Sequence, residues 1–400
     1  MSGSRLVSCS KLSDRTSFED YILKLRNFTS DGKSFDQLDA CKPEVCTALW
    51  GTVNADIAGP GVNSSYIIGN ALGYLSLVGL IVYWEVSRYR GRSSLNKKVE
   101  EQVVKCIDAL HVCVLWFCIS IQIASIALLV KVDFGLDATG MEFSTMEITW
   151  SVSILALLPL IYLTFLPTDI SYRSSSLPNN DFQKPDSVHD PEKETPPSRF
   201  VLFRINTIAL CWILSIYPFL SRMLETFGPS KIGDGGNSVI TTAEWEKIQD
   251  LCLSGVSGIS DISYKVFLGF GIFGWIWFTL FTTAGLVMVY LCRQRPDSRL
   301  IPKFESYFLV TQAQKGSEST PSRRPIVMWI ALAVITPMAA GINIWSIFAN
   351  QKFQQDISKT TGAISATPEW GFGQIVAIII YGPVCWEVFN LGKVFYQTQI

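Results

Sequence analysis

Histidine is almost missing from this chain. Only His111 and His189 occur, and the ten cysteines do not fall near them at metal-ligand spacing, so no Cys/His set is available for a zinc or haem site. Charge is also scarce. Charged residues make up 17% of the chain and balance to a net charge of -1, which provides no basic face for nucleic acid. The first 65 residues contain no apolar core of the kind that marks a cleavable signal peptide, so the first long apolar run is expected to serve as the membrane-targeting signal. No Asp-Asp-x-x-Asp cluster occurs, which excludes the usual magnesium-diphosphate site of ionisation-type isoprenoid chemistry.

What the chain has in abundance is long apolar runs. Hydrophobic residues make up 48% and the mean hydropathy is +0.29. Seven runs stand out: Tyr66 to Val86, Cys106 to Val130, Ile148 to Leu166, Phe200 to Leu220, Val266 to Leu291, Ile326 to Phe348 and Phe372 to Phe395. Each approaches or exceeds the roughly 20 residues a helix needs to cross a hydrocarbon core. In lipid, only a helix satisfies its own backbone polar groups within one segment. The expected fold is therefore all-α, a bundle of about seven transmembrane helices with a short N-terminal tail. The expected units are a tail over 1–65, three spans over 66–166, a disordered Ser/Pro/Asp-rich loop over 167–199, and four spans over 200–400.

Lysine and arginine set the expected orientation, because positive charge near span ends stays cytosolic. None lies between Cys46 and Ser65, whereas Arg88, Arg90, Arg92, Lys97, Lys98 and Lys105 separate runs one and two. Arg293, Arg295, Arg299, Lys303, Lys315, Arg323 and Arg324 separate runs five and six. The N-terminus is thus expected in the lumen and the C-terminus in the cytosol, with the endoplasmic reticulum as the expected membrane. Cys9, Cys41, Cys46 and Cys252 then share the oxidising side and could form two bridges, with Cys252 expected to pair with one of the other three. Asn27 and Asn63 head sequons on that side and are the expected glycosylation sites.

The pattern Gly269-x-Gly271-x-x-Gly274 spells a dinucleotide fingerprint, but it lies inside an apolar run with no strand before it. Close helix packing explains it better, as it does Gly69-x-x-x-Gly73. Ionisable residues in or against the membrane are more informative, because they are costly there and often mark a working site. Asp56 precedes the first run, Glu85 ends it, Asp108 opens the second one turn before His111, and Glu387 sits late in the seventh. Each has a plainer reading. Glu85 and Glu387 are near enough to the interface to pair with loop arginines, Asp108 and His111 suit a hydrogen-bonded pair, and Asp56 suits a turn cap. Glu142 and Glu147 are expected to be solvated. In the fifth run Phe270, Phe273, Trp277 and Phe281 share one helical face, a wall that could stabilise a cation or simply pack.

The stretch Leu49-Trp50-Gly51-Thr52-Val53-Asn54-Ala55-Asp56-Ile57-Ala58-Gly59-Pro60-Gly61-Val62 resembles the G-x-x-N-x-D-I-x-G-x-G-V opening of a broad group of fungal multispanning proteins. Phe372-Gly373-Gln374-Ile375 resembles the same group, while Ala55 and Pro60 depart from its usual proline and aliphatic residue. The characterised members are membrane-bound meroterpenoid cyclases of the ascochlorin/ascofuranone and macrophorin type. The resemblance implies a terpene cyclase of secondary metabolism that protonates a farnesylated aromatic, or its terminal epoxide, and lets the cation close rings. It implies no cofactor and no metal. The implied partners are a lipophilic prenylated substrate, membrane lipid and other enzymes of the pathway. Asp56, Glu85, Asp108 and Glu387 become the catalytic candidates, and Phe270, Phe273, Trp277 and Phe281 the substrate-binding ones.

A seven-helix receptor is the main alternative. Its usual marks are missing: run three ends in Pro167-Thr168-Asp169-Ile170 with no Asp-Arg-Tyr triplet, and run seven reads Tyr381-Gly382-Pro383-Val384-Cys385 with no Asn-Pro-x-x-Tyr. Run seven has no lysine before Lys393, which counts against a retinal protein. A transporter is a third reading, without a visible internal repeat.

Overall fold

The computed structural model describes residues 20, 21, 23, 39–50, 55–90, 94–133, 143–164, 199–227, 241–294, 326–362 and 372–399. All of its regular structure is helical. The helices are α1 (Lys42–Trp50), α2 (Ala55–Ala58), α3 (Pro60–Arg90), α4 (Ser94–Asp133), α5 (Phe143–Thr164), α6 (Arg199–Phe227), α7 (Thr242–Leu253), α8 (Asp261–Gln294), α9 (Ile326–Thr361), α10 (Phe372–Ile379) and α11 (Gly382–Gln399). Six helical segments among the described residues are long and apolar enough to cross a membrane: Glu101–Val130, Ser144–Leu163, Asn206–Phe227, Asp261–Val287, Leu332–Thr361 and Ile375–Val394. The protein is a multi-pass integral membrane protein. The expected first run lies within α3, and of the expected loop over 167–199 only Arg199, which begins α6, is among the described residues.

Helix α5 is the axis. It contacts α3, α4, α6, α8 and α9, and these five also contact one another in that order, closing a ring around it. The whole of its apolar window is buried, the behaviour of a helix apolar on every side. Outside the ring, α10 packs on α3 and α11 on α4. The polar residues of α5 bind it to the ring. Gln122 and Ser153 exchange hydrogen bonds, the Gln122 amide donating to the Ser153 carbonyl at 2.9 Å and the Ser153 hydroxyl to Gln122 Oε1 at 2.8 Å. Ser151 donates to Ser346 of α9 at 2.9 Å, and the Asn70 amide of α3 donates to the Leu155 carbonyl at 3.2 Å. Each such bond between membrane helices is worth about 0.6 kcal/mol on average.

Glycines set how closely the ring approaches. A Cβ on Gly271 would stand 2.5 Å from the Trp150 indole nitrogen, and one on Gly274 would stand 3.0 Å from Ile154. A Cβ on Gly69 would lie 2.5 Å from the Tyr381 hydroxyl, and one on Gly73 would lie 3.1 Å from Tyr162. Tight helix contact is therefore what these glycines permit, while Gly269 has nothing within 4 Å. The last apolar run is not one straight helix. It turns at Ile380 and Tyr381, just before Pro383, which has no N–H to give, and the Tyr381 hydroxyl donates to the Ser65 carbonyl at 3.2 Å.

One end of the bundle carries a cap. Cys46 of α1 is bonded to Cys252 of α7, with their Cα atoms 5.5 Å apart, and Cys41 is disulfide-bonded as well. Thr241 and Glu244 form a capping box that starts α7, and Trp50 stacks on Trp245. Leu49, Trp50, Ile248, Cys252, Phe353 and Ile357 form the cap's own core. The last residues of the expected tail are thus built into the bundle: α1 contacts α5, α7 and α9, and α2 contacts α3, α4, α5 and α10.

Candidate functional site

The two sequence-named acids whose side chains are described, Asp108 and Glu387, take separate partners. Asp56 and Glu85 lie on described helices, but their side chains lie outside the described residues. Asp108 is half-buried and ion-paired to Arg204 of α6. The expected pairing with His111 does not form: the guanidinium of Arg204, on the packed helix α6, takes the Asp108 carboxylate instead. His111 is 1% exposed, and neither ring nitrogen has a hydrogen-bond partner among the described residues. Glu387 accepts from the Gln102 side-chain amide at 2.7 Å, joining α11 to α4.

The four rings of α8 do line up. Phe270 and Phe273 have centroids 6.5 Å apart, Phe273 and Trp277 stack at 6.0 Å, and Trp277 meets Phe281 edge-on at 4.7 Å. The Trp277 indole donates to Thr336 at 3.2 Å, so this ladder faces α9, away from α4 and its acids.

A charged cluster that the sequence reading passed over lies between α5, α6 and α8. Glu147, expected to be solvated, is 3% exposed and ion-paired to Arg222, itself 2% exposed. Helix α5 begins at Phe143, about one turn before the apolar run, and this draws Glu147 inside the ring. Arg222 Nη1 also pairs with Glu225 at 2.8 Å, and Nη2 donates to the Tyr264 hydroxyl at 2.8 Å. The guanidinium carbon lies 5.5 Å from the Tyr264 ring centre. Glu225 is the most exposed of the acids and arginine in this cluster, at 19%.

Directly beside the charges is a second aromatic group. Trp150, one turn after Glu147, lies 5.8 Å from Phe219, and Phe219 stacks on Trp275 at 3.9 Å and 10°. Phe219 stands one turn before Arg222, so the same two helices carry acid, arginine and rings in register. Two signals for this site were present in the sequence: an arginine and a glutamate at i, i+3 just past an apolar run, and a glutamate three residues before a tryptophan.

Arg204 and Arg222 are 18 residues apart on α6. At 1.5 Å per residue that is about 27 Å, close to the thickness of a hydrocarbon core. The Asp108–Arg204 and Glu147–Arg222 pairs therefore occupy opposite ends of the bundle. The Glu147 end is the disulfide end, because Gln354 of α9 donates both to the Trp50 carbonyl at 3.0 Å and to Thr145 at 3.2 Å.

Of the two sequons, Asn27 lies outside the described residues. Asn63 is buried, its amide donating to the Ala58 carbonyl at 3.0 Å and to Gln351 at 3.4 Å, a setting that leaves no room for a glycan on the folded chain. Comparison with protein-family models, curated proteins and solved structures finds no match for this chain.

Proposed function

We propose that this protein is a membrane-bound terpene cyclase that closes rings on a farnesylated aromatic, or its terminal epoxide, by proton-initiated cation chemistry. The observation that carries the reading is the placement of Glu147 beside both Arg222 and the Trp150, Phe219 and Trp275 rings. Two carboxyls, Glu147 and Glu225, share one arginine, so the cluster has a formal charge of -1 when both acids are ionised. In a water-poor bundle such a cluster gains by holding one proton, which makes it a proton source. When Glu147 gives that proton to an epoxide oxygen or olefin, Arg222 stabilises the carboxylate left behind. The electron pair of a neighbouring double bond then closes the ring, and the final cation loses a proton to a base. The three rings face the charge as it forms, each worth about 0.5–2 kcal/mol when desolvated. The resemblance of Leu49 to Val62 to the fungal cyclase group supports the same reading, and Trp50 of this stretch shares Gln354 with Thr145, two residues before Glu147 on α5.

The orientation proposed with it sets the disulfide end in the lumen of the endoplasmic reticulum and the arginine-rich loops in the cytosol. Seven crossings, with α3 as the first, fit that arrangement.

Microsomes carrying the wild type or single variants, supplied with a farnesylated aromatic epoxide and followed by mass-resolved chromatography, test the reading. Glu147→Gln is expected to reduce cyclisation about 10²–10⁴-fold, the usual worth of a general acid. Asp108→Asn should matter less, since Asp108 pairs with Arg204 at the opposite end of the bundle from the Trp150, Phe219 and Trp275 rings. Glu387→Gln, Asp56→Asn and Glu85→Gln complete the set. Near-normal turnover by Glu147→Gln removes it as the donor, and an inactive wild type on every such substrate removes the cyclase reading.

A further inference from the structure

The groups gathered around Arg222 differ in what they can do with a proton. Glu147 Oε1 and the Tyr264 hydroxyl share Nη2, while Glu225 Oε2 takes Nη1 at 2.8 Å. An ionised carboxylate only accepts, and a guanidinium only donates without giving up its charge. A phenol does both at once, its oxygen accepting while its O–H donates. Tyr264 accepts from Arg222 Nη2 at 2.8 Å and carries a proton of its own. It stands on the first turn of α8, which begins at Asp261, and is only partly buried. Glu147, by contrast, is almost wholly buried, so once it has given up its proton it needs a carrier to take another from water.

We propose that Tyr264 returns a proton to Glu147 after each donation, and that Glu225 keeps that proton in the cluster by competing for the Arg222 charge. The inference rests on the cyclase reading for the use made of the proton, though the return route does not depend on it. With Glu147 and Glu225 both ionised, the cluster has a formal charge of -1 in a water-poor setting and draws a proton from the aqueous disulfide end. In the return step that proton binds the Tyr264 oxygen while the phenol proton leaves for the Glu147 carboxylate. The tyrosine ends neutral, the carboxyl is restored, and one proton has moved inward. Arg222 stays charged throughout and holds both oxygens on one nitrogen, so no side chain has to travel. Without Glu225, Arg222 and Glu147 would balance each other, and the pair would have no excess negative charge to hold a proton.

The test is infrared spectroscopy of the purified full chain in lipid nanodiscs without substrate, following the C=O stretch of a protonated carboxyl as water is replaced by deuterium oxide. The Glu147 band is the one missing from Glu147→Gln. The wild type is expected to show that band at neutral pH. Tyr264→Phe, which keeps the ring beside Arg222 and removes the hydroxyl, should retain the band. Its proton should exchange about 10²-fold more slowly, the lower end of what a positioned proton carrier is worth. Glu225→Gln should lose the band, and Glu225→Asp, which restores the charge, should recover it. A merely structural role for these residues would move neither the exchange rate nor the band. Three results overturn the proposal: no Glu147 band in the wild type, unchanged exchange in Tyr264→Phe, or a band that persists in Glu225→Gln. If Tyr264→Phe is not recovered folded, the band in Glu225→Gln still decides. The expected exchange pattern without any cyclised product leaves the return route standing and removes the cyclase reading, whereas product with unchanged exchange in Tyr264→Phe does the reverse.

Discussion

Arg222 joins Glu147 across the interface of α6 with the central helix, and both side chains are almost wholly buried. That pair is costly to assemble in lipid and more costly to break, because either partner alone becomes a buried, uncompensated charge. Arg222 also holds Glu225 and the Tyr264 hydroxyl, so it links α5, α6 and α8 at one point.

Removing Arg222 should therefore harm the fold more than removing Glu147. Arg222→Met leaves two carboxyls without their cation and is expected to cost about 3–5 kcal/mol. Glu147→Gln leaves Arg222 paired to Glu225 and should cost less. Thermal unfolding in detergent, read by fluorescence-detected size exclusion, compares them. Equal stability of the two variants contradicts this order, and Arg222→Met with Glu147→Met should recover part of the loss.

The cap should depend on Cys46 and Cys252. Peptide mapping without reductant should recover the two as one linked species, and a free thiol at Cys252 in correctly inserted protein contradicts the bond. Cys46→Ala with Cys252→Ala is expected to lower stability by about 2–4 kcal/mol, the typical worth of one disulfide.

Gly271→Ala should disturb the central packing, since its Cβ would meet the Trp150 indole nitrogen at 2.5 Å. Overpacking of this kind costs about 1–3 kcal/mol. Gly269→Ala, two residues away with nothing within 4 Å, should be neutral. Unfolding midpoints of the pair give the comparison, and similar losses for both refute the packing role of Gly271.

Glycosidase treatment should distinguish the two sequons. Any mobility shift should vanish with Asn27→Gln and persist with Asn63→Gln, because Asn63 is hydrogen-bonded inside the bundle. Protease added to the cytosolic face of intact vesicles should spare the segment from Met1 to Asn63 and cut between Arg293 and Arg324. The opposite pattern reverses the proposed orientation.

The amino-acid sequence by itself determined that the chain is helical and crosses a membrane repeatedly, because twenty-odd apolar residues in a row leave the backbone no other way to satisfy its polar groups in lipid. It also pointed to Cys252 as bonded to an N-terminal cysteine, since the Lys and Arg distribution puts those cysteines on one side of the membrane, and to Gly271 and Gly274 as packing notches, since small residues inside an apolar run let helices approach. Which helix became the axis was a tertiary decision. The apolar runs look alike along the chain, and only their mutual packing buried α5 on every side. The same holds for the charges. Glu147 reads as a solvated residue at a span's edge, and Arg222 lies 75 positions away in the chain. Only the meeting of α5 and α6 makes them one buried pair, while Asp108, which looked matched to His111 one turn along its own helix, found its partner in Arg204 across an interface instead. Spacing along a helix reports which residues share a face, but the opposing face comes from a distant part of the chain, and in lipid that opposing face decides whether a carboxyl is paired, buried or free.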